Sequence, residues 1–138
     1  MQRNWFSNFE PFESPLIYQG IEFLTVENFY QAMKVAKDDI ETRKAIAAVF
    51  PAQSKRLGRS VKLRPDWDTV KDAVMEYALH YKFAPRTKWH RQLMETEGEI
   101  VEWNTWGDRT WGATKRLPNG ELDGENRLGK LLMKIRDS

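Results

Sequence analysis

The chain has no cysteine and only two histidines, His80 and His90. The first absence excludes a disulfide scaffold, a thiolate metal site and a cysteine nucleophile. The second argues against a zinc centre. Long apolar runs are also missing. MQRNWFSNFEPF has no continuous apolar h-region, and no later segment reaches the length needed to span a bilayer, so the cytoplasm is the expected compartment. Neither sign of charge dominates: 22 Lys and Arg face 20 Asp and Glu, for a formal net charge of +2. The sequence pI of about 8.9 permits a phosphate-bearing partner without requiring one. What remains is ordinary for a globular protein: 138 residues, 41% hydrophobic and 30% charged. That is enough chain for one core and one domain spanning 1–138.

LIYQGIEFL reads as a small hairpin, with Leu16 to Tyr18, a turn at Gln19-Gly20, and Ile21 to Leu24. Pro11 and Pro15 keep the preceding FEPFESP out of any helix. Thr25 is the N-cap of a first helix running to about Ala36. ETRKAIAAVF gives a second helix that stops at Pro51, and AQSKRLGR a short third closed by Gly58. The longest helical pattern opens at Pro65-Asp66 and runs to Pro85, with Trp67, Val70, Val74, Tyr77, Ala78 and Tyr81 as its core stripe. TKWHRQLMETEG reads as a further helix ending before Gly98, and EIVEW as a short strand with Trp103 in the core. Residues 104–124 read as loop, and a loop of that length tends to be functional or mobile. The last helix, ENRLGKLLMKIRDS, directs Leu128, Leu131, Leu132 and Ile135 inward. The fold class is therefore α+β and predominantly helical: one compact domain with an N-terminal hairpin and five to six helices.

The first helix carries an unusual side. Glu27, Gln31 and Lys34 recur at i, i+4 and i+7, so they project together, beside the apolar Val26, Phe29, Tyr30, Met33 and Ala36. This places a polar stripe at the edge of the buried surface, where a cleft wall would lie. Glu27 also suits the positive end of the helix, which is sufficient reason for a carboxylate there. Glu27 and Lys34, however, are two turns and ~10 Å apart, too far for the usual pair on a helix surface. A carboxylate, an amide and an ammonium converging on one pocket suit a polar, anionic, hydroxyl-rich ligand.

EWNTWGDRTWGATKRLPNG sets Glu102, Asp108 and Arg109 among Trp103, Trp106 and Trp111. Indole faces can stack a nucleobase, and glycine lets backbone approach a ligand closely. In GENRLGKLLMKIR, free backbone N–H groups at Gly124 and Asn126 can hold phosphate, whereas Gly129 permits close helix packing. No Walker loop, GxGxxG or HExxH motif is present. The basic run SKRLGRSVKLR reads as a solvated face that could also bind phosphate.

Taken in order, FSNF, TVENFYQAMK, KRLGR, the W…VKDAVMEYAL…KF helix, IVEW…D..WG and GENRLGKLLMKIR resemble the NADAR, or YbiA-like, family across nearly the whole chain. The resemblance implies a mostly helical α+β domain acting on N-glycosides of ribose derivatives. The implied activities are hydrolysis of early riboflavin-pathway intermediates and removal of ADP-ribose from guanine. Its polar positions fall on Asn8 and Phe9 of FSNF, then Glu27, Gln31 and Lys34, then Asp108, Trp111 and Gly112, and finally Asn126 and Gly129. Two departures stand out. Asn28 occupies the place where the family usually has histidine, and the segment between Trp111 and Asn126 is longer than in compact bacterial members.

The expected chemistry is hydrolysis of a C–N bond at a ribosyl anomeric carbon, without cofactor or metal. Glu27 and Asp108 are the candidate acid, base or electrostatic stabiliser of an oxocarbenium-like sugar. Lys34 either holds phosphate or attacks the anomeric carbon to form a Schiff base. Asn8, Phe9, Gln31, Trp111, Gly112, Asn126 and Gly129 are the expected substrate-binding positions, with Trp111 stacking the base. The implied partner is a ribosyl or ADP-ribosyl small molecule, or ADP-ribosylated guanine in nucleic acid, with no membrane. The alternatives are a non-catalytic module that binds ADP-ribose or a nucleotide, and a nucleic-acid-associated protein whose affinity falls steeply with salt.

Overall fold

A computed structural model describes residues 5–138. The chain divides into two compact units, the first ending at Trp89 and the second spanning His90–Ser138. No helix among the described residues is long and apolar enough to cross a membrane.

The first unit opens with the hairpin β1 (Pro11–Tyr18) and β2 (Ile21–Thr25), paired antiparallel with Leu16 opposite Phe23 and Tyr18 opposite Ile21. The two-residue turn has φ of 54° at Gln19 and 73° at Gly20, the pair of positive values that matches the natural twist of the strands. Gln19 is an unusual residue for that conformation, and tertiary bonds hold it there. Its amide donates to Lys37 O at 3.0 Å and accepts from the buried Arg43 at 2.7 Å. The register breaks between Pro11 and Leu16, where Pro15 has no N–H for the ladder.

β2 alternates cleanly, with Ile21, Phe23 and Thr25 buried and Glu22 and Leu24 exposed. Thr25 then caps α1 (Val26–Ala32), its Oγ1 accepting from Asn28 N at 3.0 Å. One residue thus ends the strand and starts the helix, so the strand register fixes which way α1 faces. All seven residues of α1 are buried, because β2, α2 (Ile40–Ala47), α3 (Pro51–Ser60) and α4 (Trp67–Lys82) pack around it. The expected polar edge is therefore wrong in one respect: Glu27 and Gln31 lie inside the unit, since neighbours close on the helix from every side. The helix is also shorter than its pattern. Lys34 N bonds to Gln31 O at 3.2 Å and Val35 N to Ala32 O, a tightened turn that ends α1 at Ala32.

Gly58 does not close α3. It lies buried in the helix, which continues to Ser60. In α4 the buried residues are Trp67, Met75, Ala78, Leu79 and Lys82, while Tyr77 and Tyr81 are exposed. The tyrosines still work along their rims. Tyr77 stacks on Phe29 at 5.6 Å, and Tyr81 Oη donates to Ser14 O and Pro15 O. In α5 (Lys88–Met94) the second residue is Trp89, whose Nε1 donates to Pro11 O at 2.9 Å.

The second unit contains α6 (Arg127–Asp137), which buries Leu128 and Leu132 and half-buries Leu131 and Ile135. EIVEW forms no strand. Ile100 and Val101 are buried, but the segment makes only an isolated bridge, Trp103 to Ala113. Trp103 is 46% exposed, with the Arg116 guanidinium 5.9 Å from its ring, so it is not core. Residues 114–123 are more ordered than a loop. Thr114 N bonds to Asp123 O, Asp123 N to Lys115 O and Leu117 N to Glu121 O, a short ladder closed by the Pro118–Gly120 turn.

Candidate functional site

In the first unit, Glu27 is 8% exposed and Gln31 5%. Their i, i+4 spacing lets Gln31 Nε2 donate to Glu27 Oε2 at 2.5 Å. Glu27 N in turn donates to Asn8 O at 3.1 Å, which fixes the FSNF loop against the first turn of α1. Ser7 O accepts from Lys82 Nζ at 2.7 Å, and Asn8 Nδ2 reaches Met75 Sδ at 3.6 Å. Phe9, the neighbouring expected contact, is 42% exposed.

Lys34 stands half-buried just past the helix end, with its ammonium 5.7 Å from the Tyr30 ring. Burial lowers its pKa below the ordinary 10.5. Glu27 opposes that shift, while the positive charges of Arg59 and Lys55 reinforce it. The carboxylate, amide and amine of the first helix are thus gathered in one electrostatic neighbourhood, although Lys34 arrives there from a turn. Asn8 Oδ1, Gln31 Oε1 and Ser54 Oγ are buried and have no hydrogen-bond partner among the described residues. Buried polar atoms are nearly always paired, so three such atoms on these elements mark a place suited to a polar ligand.

Asn28 belongs elsewhere. Its Oδ1 accepts from Thr25 Oγ1 at 2.6 Å, and its Nδ2 donates to Ile46 O and Val49 O. The side chain tying α1 to the end of α2 is fully used, and a departure from histidine there acts on packing.

In the second unit, Asp108 Oδ1 accepts from Thr110 N at 2.9 Å and Trp111 N at 3.0 Å. Asn104 clasps the same turn from both sides, accepting from Asp108 N and donating to Asp108 O. Gly112 and Gly129 are tight approaches: a Cβ at Gly112 would overlap Glu102 O, and one at Gly129 would overlap Ile100 O and the Asn126 amide. Asn126 starts α6 in the left-handed region, φ 51°, and its side chain is spent on backbone. Nδ2 donates to Ile100 O at 2.9 Å and Oδ1 accepts from Glu102 N at 3.0 Å. Asn126 and Gly129 therefore have packing duties that account for their identity. Among the described residues, no group of three His, Cys, Asp or Glu could hold a metal ion.

Sequence reasoning missed Lys82, which is 1% exposed and lies 5.2 and 5.5 Å from the Phe83 and Trp89 rings. A lysine in an apolar helical pattern was the available signal.

The NADAR domain model matches residues 1–138, and the chain belongs to that family. Among its relatives, N-glycosidase Npun_R5314 of Nostoc punctiforme is 35% identical over 96% of this chain and 83% of its own length. N-glycosidase YbiA of Escherichia coli is also 35% identical, over 96% and 79%. The riboflavin biosynthesis protein PYRR of Zea mays is 30% identical over 95% of this chain but only 22% of its own. The solution structure of E. coli YbiA superposes with a TM-score of 0.74 at 34% identity, covering 96% of this chain and 76% of that one. The mostly helical α+β fold, with its hairpin and six helices, is that of YbiA.

Proposed function

We propose that this chain is an N-glycosidase that breaks the bond between C1′ of a ribosyl group and the nitrogen of a base or amine. The substrate class is ADP-ribosyl-guanine or an early riboflavin-pathway ribosylamino-pyrimidine, and the proposed compartment is the cytoplasm. Relatives from Nostoc punctiforme and Escherichia coli are named N-glycosidases, and others carry riboflavin biosynthesis names.

One observation carries the reading. A buried Glu27, fixed by Gln31, acts on a Lys34 whose burial favours the neutral amine. A neutral lysine is a nucleophile. Its Nζ attacks C1′, the bond from C1′ to the base nitrogen breaks, and the electron pair leaves with the base, which takes up a proton. Nζ gives its own proton to Glu27. The C1′–O4′ bond then opens, O4′ is protonated, and C1′ and Nζ form an iminium. Water adds at C1′, the C1′–Nζ bond breaks, and the sugar is released as its aldehyde with Lys34 restored. Asp108 orders the turn that carries Trp111.

The test is a cleavage panel of ADP-ribosyl-guanine in DNA, free ADP-ribosyl nucleosides, NAD and aminouracil ribosides. Turnover of at least one is expected, with Glu27→Gln slower by about 10²–10⁴-fold. Borohydride should trap sugar on wild type and not on Lys34→Ala. Tight binding with no turnover, unchanged by Glu27→Gln, would overturn the proposal in favour of a binding module.

A further inference from the structure

We infer that Arg43 and Gln19 are positioning residues for Lys34: together they clamp the turn on which it stands and so aim its amine. The inference rests on the reading of Lys34 as the working amine and adds to it the pair of side chains that holds that amine in place.

Lys34 needs such a hold because α1 ends at Ala32, and the carbonyls at and beyond a helix end have no partner within the helix. Here they find partners elsewhere in the first unit. Lys34 O accepts from Arg64 N at 2.7 Å, Val35 O from Arg43 Nη2 at 3.2 Å, and Lys37 O from Gln19 Nε2 at 3.0 Å. The last two bonds belong to one assembly, since Arg43 Nη1 donates to Gln19 Oε1 at 2.7 Å. The hairpin turn and the fourth residue of α2 thus grip the chain immediately after Lys34.

Both members are costly where they stand. Arg43 is 1% exposed, its guanidinium bonds two neutral oxygens, and its Nε has no hydrogen-bond partner among the described residues. Burying a charge without a hydrogen-bonded carboxylate is unfavourable, and packing alone would be served better by an apolar side chain. Gln19 is exposed and holds a φ of 54°, a conformation that suits glycine or asparagine. A glycine would form the same hairpin turn with less strain. What glycine lacks is the amide that reaches both Arg43 and Lys37 O. The two anomalies share one explanation, the turn they hold between them. Position matters at an attacking amine, where a displacement of about 1 Å can slow a reaction by about 10²-fold.

Gln19→Gly in the full chain is the decisive variant. It removes the amide, gives the turn its preferred residue, and leaves in place Glu27, Arg59 and Lys55, the charges that act on Lys34. Arg43→Lys is the second variant, because a single ammonium cannot reproduce the fork that spans Val35 O and Gln19. The readout is the ε-carbon chemical shift of Lys34 in lysine-labelled protein, assigned with Lys34→Arg and followed against pH. In wild type its midpoint lies below 10.5. Both variants should stay folded by circular dichroism and move the midpoint up towards 10.5, since a loosened turn lets water reach the amine. On a riboside that wild type cleaves, kcat should fall about tenfold or more with KM little changed. If Arg43→Lys fails to fold, Gln19→Gly decides alone. A wild-type midpoint in Gln19→Gly overturns the inference even if ribosides are cleaved, and leaves the pair as a tie between the hairpin and α2. A midpoint that moves sustains it even if no riboside is cleaved, and then only the glycosidase reading falls.

Discussion

Gly58 of α3 stands against the side-chain amide of Gln31, with no room for even a methyl group between them. The same amide donates from its other end to Glu27. A helix-interior glycine therefore sets the position of a carboxylate on a different helix.

Gly58→Ala separates fold from site. Alanine gains about 1 kcal/mol of helix propensity over glycine, while the added Cβ drives the flexible end of Gln31 aside. The two effects offset in stability, so the midpoint in urea should move by less than about 1 kcal/mol. Activity on whichever riboside the panel identifies should fall about tenfold or more as Glu27 loses its anchor. A drop in stability with full activity would show that Gln31 does not position Glu27.

The lowered pKa of Lys34 makes signed predictions. If the neutral amine attacks, kcat/KM rises with pH along a limb whose midpoint lies below 10.5. Arg59→Gln removes a like charge and moves that limb up, and Glu27→Gln removes an opposite charge and moves it down. Stability follows the same linkage. The folded state binds the Lys34 proton more weakly than the unfolded state, so charging Lys34 is a cost below the folded pKa that fades as pH rises towards 10.5. Lys34→Met should raise the melting temperature at pH 7, with the advantage closing near pH 10.5.

Local chemistry was readable and tertiary context was not. Thr25 announces a cap because its hydroxyl serves an N–H three residues on, and Gln19-Gly20 announces a turn between apolar runs. Both are decided within a few residues. The end of α1 at Ala32, the burial of Glu27 and the placement of Gly58 depend on which helices crowd around α1, which periodicity does not encode. Trp103 failed for the same reason: a tryptophan looks like core until its exposure and its Arg116 neighbour are known. The nearness of Glu27, Gln31 and Lys34 was legible because i, i+4 and i+7 spacing brings them together, even though the helix ends before the last of them.

Asp108 has two separable duties. Its Oδ1 holds the amides of Thr110 and Trp111. Asp108→Asn keeps an acceptor there but removes the charge, whereas Asp108→Ala removes both. Hydrogen exchange at those two amides should be unchanged in the first variant and faster in the second, by about tenfold for each 1.4 kcal/mol lost. If the carboxylate takes part in the reaction, Asp108→Asn still slows turnover by about 10²-fold. Full activity in Asp108→Asn would leave Asp108 as an organiser of the loop alone.

Asn126→Ala should destabilise by about 2–4 kcal/mol in urea, because Ile100 O and Glu102 N lose their partners while Ala must adopt a left-handed φ. Asn126→Gly relieves the backbone and should recover part of the loss. If both variants keep wild-type stability, the backbone clasp does not account for the asparagine at this position.

Lys82 offers the hardest test of how the N-terminal loop is held. Its buried ammonium lies near two aromatic rings and donates to Ser7 O, one residue before the carbonyl that receives Glu27 N. Lys82→Met keeps the stem but removes the donor, leaving Ser7 O short of a charged partner at a cost of about 1–3 kcal/mol. The loop should then loosen at Ser7 and Asn8, seen as changed chemical shifts for the Asn8 side-chain amide and faster exchange of Glu27 N–H. Lys82→Arg should rescue neither, since a planar fork does not fit a socket shaped for a single Nζ. A Lys82→Met protein that lost stability while Glu27 N–H kept its protection would show that the FSNF loop is held by Glu27 itself, with Lys82 serving only the core between Phe83 and Trp89.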